Sequence, residues 1–182
     1  MRTFVRLGLV VVGIVALTLT AGMGGGDAAG DAAAEIARLK AEIEQLRGRL
    51  PDQSHVMKDV GYHFSNLWFA ARAKNWPLAK FYLDETRSHL KWAVRIIPVR
   101  KTKGGDLDLR VILDALDRTV LADTQKAIDA RDLEAFTKAY QQTLAGCYSC
   151  HTAAEKPYLR PKIPEQPETR IIDFEPSPAG RE

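Results

Sequence analysis

Cys147-Tyr148-Ser149-Cys150-His151 constrains this chain more than any other stretch of it. Two thiols at this spacing, followed at once by an imidazole, form the attachment pattern of a c-type haem. The thiols add across the vinyl groups, and the histidine offers its ring nitrogen to the iron as proximal ligand. Other chemistries of a Cys-x-x-Cys pair fit the surroundings poorly. A thioredoxin-type redox pair wants a βαβ setting, and nothing around Cys147 reads as strand. A structural zinc site needs four ligands, yet these are the only 2 cysteines in the chain and no other histidine lies near them in sequence. A disulfide between residues so close would staple only a trivial loop. The expected cofactor is therefore one covalently attached haem c, held by Cys147 and Cys150 with His151 on the iron.

The N-terminus points to the compartment in which such a haem is attached. Met1 to Arg6 carries two arginines, Leu7 to Leu19 is almost wholly apolar, and Ala21 to Ala34 is small and glycine-rich. This is the layout of a secretory signal, so residues 1–23 are read as a signal peptide. An uncleaved membrane anchor is the alternative, because the apolar run reaches the lower limit for a span. No cysteine stands near its end, which rules out a lipid anchor on cysteine. The expected location is the periplasm, free or anchored through this segment. Without the leader about 150 residues remain, enough for one domain with a real core. A formal net charge of +3 over 182 residues is too mild to argue for nucleic acid, and no groove-reading motif accompanies it. No paired carboxylates, nucleophile with a base or glycine-rich phosphate loop appears, so the chain does not read as an enzyme.

Helical spacing dominates the chain beyond the leader. Ile36, Leu39, Ile43, Leu46 and Leu50 recur at intervals of three and four, so residues 24–50 read as a small-residue linker and a charged, coiled-coil-like helix. The seam suits pairing with a second copy and packing on the chain's own core equally well. Pro51 ends it, and Asp52 is a cap for the next helix, Gln53 to Lys74, whose apolar face is Val56, Met57, Val60, Phe64, Leu67, Trp68 and Ala71. Asn75-Trp76-Pro77 punctuates, and a helix to Ile97 buries Leu78, Phe81 or Tyr82, Leu90 and Val94. A basic loop, Val99 to Gly105, leads to a third helix capped by Asp106 and running to Ala130, and a fourth runs from Leu133 through the cysteines to Glu155. No strand-like alternation is visible. The expected fold class is all-α, a four-helix up-down-up-down bundle over residues 51–156, with an extra N-terminal helix and an extended proline-rich tail over 157–182. Tyr158, Leu159, Ile163 and Phe174 are the apolar residues that can anchor the tail.

With the haem motif on the last of four helices, the chain resembles the class II cytochromes c, the family of cytochrome c prime and its low-spin, methionine-ligated relatives. The similarity covers about residues 52 to 155. It rests on Gly146-Cys147-Tyr148-Ser149-Cys150-His151, on Ala130 to Phe136 before it, and on Gln53 to Phe64, where glutamine, methionine, glycine and phenylalanine match the family's first-helix pattern. Asp52 stands where the family usually has an arginine. The resemblance implies that Met57 occupies the place of the distal iron ligand of the low-spin members, which five-coordinate members fill with a non-ligating bulky side chain. It also implies dimerisation through the first helices in some members. Among the histidines, His63 is the rival distal ligand, being too far along the helix from Met57 for both to sit over one iron. His55 and His89 lie on charged faces and read as solvated. Lys156, Arg160 and Lys162 are cations suited to haem propionates. Arg95, Arg100, Lys101 and Lys103 form a basic cluster that can steer an acidic redox partner.

The function expected is that of an exported monohaem electron carrier exchanging one electron at a time with redox protein partners, its iron held by His151 and Met57. One alternative is a five-coordinate binder of nitric oxide or carbon monoxide. Another is a haem subunit of a larger membrane redox complex, docked through its N-terminal helix and tail.

Overall fold

The computed structural model describes residues 25–177, with side chains from residue 28 onward. The expected signal peptide at 1–23 and the last tail residues, 178–182, lie outside the described residues. The described chain is mostly helical with one small two-stranded sheet. Contacts divide it between Leu50 and Pro51 into two compact units.

The first unit holds α1 (Gly25–Arg49). The helix begins within the glycine-rich stretch because Ala28, Ala29, Ala32, Ala33 and Ala34 have the highest helix propensity and offset the glycines. Glu35 pairs with Arg38, and Glu44 with Arg47, each one turn apart. The seam Ile36, Leu39, Ile43, Leu46 and the adjoining Leu50 is between 44% and 55% exposed. Among the described residues no helix is long and apolar enough to cross a membrane.

In the second unit most helix ends are written in the sequence. Asp52 caps α2 (Gln53–Arg72) by accepting from the His55 N–H. Lys74 turns through a positive φ of 59°, and Asn75 caps α3 (Trp76–Ile96) with Pro77 in its first turn. Near the end of α2, Arg131, with φ of 55°, and the capping Asp132 open α6 (Leu133–Ala153).

The segment between α3 and α6 departs from the sequence reading twice. Val99 to Asp108 is not a loop but a β-hairpin, β1 (Val99–Thr102) against β2 (Gly105–Asp108), with Val99 opposite Asp108 and Thr102 opposite Gly105. Each strand has only 4 residues, too few for alternation to show, and its cross-strand support is polar: Lys101 Nζ to Asp106 at 2.7 Å, Thr102 Oγ1 to the Gly105 carbonyl at 2.8 Å. Asp106 is therefore a strand residue, and the cap is Asp108, which accepts from the Arg110 N–H. The helix beyond it is not continuous either. It breaks at Thr119 into α4 (Leu109–Arg118) and α5 (Val120–Asp129). The Thr119 hydroxyl donates back to the Ala115 carbonyl at 2.7 Å, an interaction that competes with the helix ladder and bends it.

Residues of α2, α3, α5 and α6 meet in one core: Phe64, Leu67, Ala70 and Ala71; Ala79, Tyr82 and Leu83; Leu121, Ala127 and Ile128; Phe136 and Tyr140. Tyr140 is central. Its ring stacks on Phe64 at 4.3 Å with planes 3° apart, and its hydroxyl donates to the Phe64 carbonyl at 2.9 Å. Gly146 of α6 lies close under α4, since a Cβ there would stand 2.6 Å from Leu116 Cδ2 and 3.6 Å from Val120 Cγ2 and would require the Leu116 side chain to move. Beyond α6 the tail is extended and strapped to the domain. Asn66 Oδ1 accepts from the Glu168 N–H, Asn75 Nδ2 donates to the Phe174 carbonyl, and the Phe174 ring lies against Phe69 and Tyr82. Of the expected anchors Ile163 and Phe174 pack against the core, whereas Tyr158 and Leu159 are exposed.

Candidate functional site

The last turns of α6 carry Cys147, Cys150 and His151, so all three are held on unbroken helix. Residues three and four apart share a face, which sets the two thiols side by side and His151 under Cys147. Both cysteines are free thiols, each half-buried. His151 Nδ1 lies 2.7 Å from the Leu159 carbonyl, an acceptor only, so Nδ1 carries the proton and donates it. The lone pair is thereby left on Nε2, and the ring is held in orientation by the tail. A second contact of the tail, Arg160 over the Tyr148 ring at 5.4 Å, fixes it against the motif.

A cleft of about 390 Å³ opens one turn away. Its walls are Gly61, Phe64 and Ser65 of α2, Tyr140 and Leu144 of α6, and the tail from Pro161 to Glu168. The stripes that line it extend naturally. On α6, Tyr140 and Leu144 continue to Cys147 and His151, while on α2 Gly61 leads one turn back to half-buried Met57. The two helices run against each other, because Phe64 meets Tyr140 at mid-length while Gln53, at the start of α2, joins a network at the end of α6.

That network closes the motif end of the domain. Arg100 of β1 donates to Gln53 Oε1, and Gln53 Nε2 donates to the Ala93 carbonyl at 3.0 Å. The Arg100 guanidinium is close enough to Cys150 to favour its thiolate. At the hairpin tip the Lys103 N–H donates to Glu155 Oε1 at 2.8 Å. The hairpin thus ties the first turn of α2 to the turn that follows α6. The basic cluster expected to face a partner is partly spent on these contacts, since Arg100 turns to Gln53 and Lys101 to Asp106.

Compared with known proteins, the chain matches no family model, no curated protein and no solved structure. The chemistry has to come from the residues themselves. Two adjacent thiols, an imidazole with a free Nε2 and a cleft beside them with Phe64, Tyr140 and Leu144 on two walls and a polar strap on the third could hold a flat, covalently bound porphyrin, and the Ser65 hydroxyl, buried without a partner on the cleft wall, could serve its polar edge. Lys162 lines the cleft in an ion pair with Glu165, and Lys156 is half-buried past the motif.

The histidines divide cleanly. His55 is exposed and bound to the cap Asp52. His63 lines no part of the cleft and instead lies against α3, its ring 4.7 Å from that of His89. His89 is not solvated, as its charged neighbours suggest, but half-buried, with its Nδ1 2.9 Å from the Glu85 carbonyl. Sequence reasoning also missed the Leu159 carbonyl, for which a backbone acceptor leaves no residue-type signal, and the Gln53–Arg100 pair, whose only trace is the glutamine in the first-helix pattern.

Burial pushes the Cys147 thiol up from 9.0 to about 11, with Cys150 adding to it, and burial also raises Cys150 against the pull of Arg100. Thiolate is the reactive form, so the closed domain keeps Cys147 weakly reactive at neutral pH. At pH 8 alkylation of Cys147 in the haem-free chain is expected to run at least about tenfold slower in buffer than in urea. The neutral thiol stabilises the closed form fully below about pH 9, and that contribution is lost as the pH rises through about 11. Equal alkylation rates would contradict this.

Proposed function

We propose that the chain is an exported electron carrier: a four-helix haem bundle of α2, α3, the broken α4–α5 and α6, with one haem c bonded to Cys147 and Cys150. His151 Nε2 is the proximal ligand and Met57 the distal one. The observation that carries this reading is the His151–Leu159 hydrogen bond beside two free thiols, at the end of a cleft whose α2 wall leads to Met57. When bound, the haem would supply reversible one-electron chemistry at its iron, and ligation by Met57 together with His151 would favour the ferrous state.

The protein's own residues account for the rest. Leu159 fixes the tautomer and plane of His151, and its hydrogen bond raises the basicity of Nε2. Phe64, Leu144 and the strap from Pro161 to Glu168 exclude water from one side of the cleft. Lys162 on the cleft wall and Arg100 beside Cys150 place positive charge near the site, where carboxylates of a propionate type are matched. The tethered hairpin keeps α2 and α6 at fixed spacing, so little rearrangement accompanies a change of charge. Outside the domain, the exposed seam of α1 suits pairing with a second copy, and the location that agrees with a covalent haem is the periplasm.

A visible spectrum tests the reading. The ferric protein is expected to be low-spin with the weak methionine-sulfur charge-transfer band, and the ferrous protein to be inert to carbon monoxide. A high-spin ferric spectrum with rapid carbon monoxide binding would replace the carrier by a gas-binding protein with an open distal position.

A further inference from the structure

On the opposite side of α2 from the cleft, the side chains of His63, Glu85 and His89 converge, with one ligand atom from each lying within 4.8 Å of the other two. We propose that these three residues form a binding site for a divalent transition-metal ion, best matched by Zn²⁺ and independent of the haem iron. The donor set is two imidazoles and a carboxylate, which suits a borderline cation with three protein ligands and a fourth position left to water.

Several features mark this as more than chance proximity. His63 Nδ1 is buried and has no hydrogen-bond partner, which is costly for an imidazole nitrogen unless something occupies its lone pair. The two imidazole rings stand 4.7 Å apart, tilted by 37°. His89 Nδ1 lies 2.9 Å from the Glu85 carbonyl and 3.8 Å from Glu85 Oε2, so it donates to Glu85, and its Nε2 keeps the lone pair that a turn of the ring would bring to an ion. Burial and the neighbouring His89 both depress the pKa of His63, so its ring is neutral and its nitrogen available. Asp59, one turn before His63, adds negative charge that favours a cation. Tyr62 and Tyr82 pack around the His63 ring at 5.0 and 6.1 Å and fix its position.

Tetrahedral zinc with bonds of 2.0–2.1 Å needs ligand atoms roughly 3.3 Å apart, so the cluster must contract by about 1 Å or more through rotation of the Glu85 and His89 side chains. Such a shift is within reach because all three residues are only half-buried. Glu85 and His89 are one turn apart on α3 and His63 is on α2, so an ion would clamp these two helices together. The clamp lies on the helix that also carries Met57, and its expected effect is on the stability of the helix pair.

The full-length chain as purified, stripped with a chelator and with any free thiols alkylated, is titrated with Zn²⁺ by calorimetry. Wild type should take up one ion per chain and melt several degrees higher with saturating Zn²⁺. His89→Gln and Glu85→Gln should each weaken binding at least tenfold and abolish the thermal shift, while His55→Gln should change neither. X-ray absorption at the zinc edge of the wild-type protein needs no variant, and should show two imidazoles, oxygen and no sulfur. Absence of binding, unchanged affinity in His89→Gln, or fewer than two imidazoles at the zinc would each overturn the proposal.

Discussion

Changing Cys147 and Cys150 together to alanine should leave a chain from which all haem is lost in acidified organic solvent, whereas the wild-type chain should keep its haem through denaturation. The expected difference is all-or-none, because a thioether survives conditions that remove every non-covalent contact. With both bonds gone, His151 and the cleft can still hold a porphyrin, so the variant separates attachment from binding. Each single variant should retain one bond and remain coloured on a denaturing gel. Wild-type haem that extracts freely would end the reading of Cys147-x-x-Cys150-His151 as an attachment site, whatever else the chain binds.

The range of each interaction decides how much of the fold and site was legible in the sequence. Helices α2, α3 and α6 are marked by caps whose side chains act within three residues, Asp52, Asn75 and Asp132, and by apolar stripes that repeat locally. The hairpin was not legible, because its 4-residue strands are held by Lys101–Asp106 and by contacts at distance, Arg100 with Gln53 and Lys103 with Glu155. The break at Thr119 was invisible for a related reason: the apolar spacing from Leu109 to Ile128 continues across it, and only the back-bonding hydroxyl records the bend. At the site the three motif residues were plain, while the Leu159 carbonyl that orients His151 depends on where a proline-rich tail folds back. His89 illustrates the same limit from the other side. Its neighbours in sequence are charged, but its neighbour in space is His63.

Met57→Ala should change the iron without detaching it. Met57 lies one turn before Gly61, on the α2 stripe that walls the cleft, and it is half-buried, so its thioether can reach a ligand held between α2 and α6. Alanine at that position cannot coordinate. The variant should therefore show high-spin or water-bound ferric iron, gain carbon monoxide binding in the ferrous form, and lose on the order of 100 mV in reduction potential, since a methionine ligand is what holds the potential up. The loss of folding stability should be smaller than the 2–5 kcal/mol, roughly, of a fully buried methionine, because the side chain is only partly covered. Its haem should stay covalent, since Cys147 and Cys150 are untouched. The control is His63→Ala. His63 packs on α3 beside His89 rather than along the cleft, so its removal should leave spin state and potential where they were. Were the spectrum to change in His63→Ala and not in Met57→Ala, the iron would be held by two histidines, and α2 would have to rotate by about a third of a turn and shift by about 9 Å along its axis to bring His63 to the place of Met57.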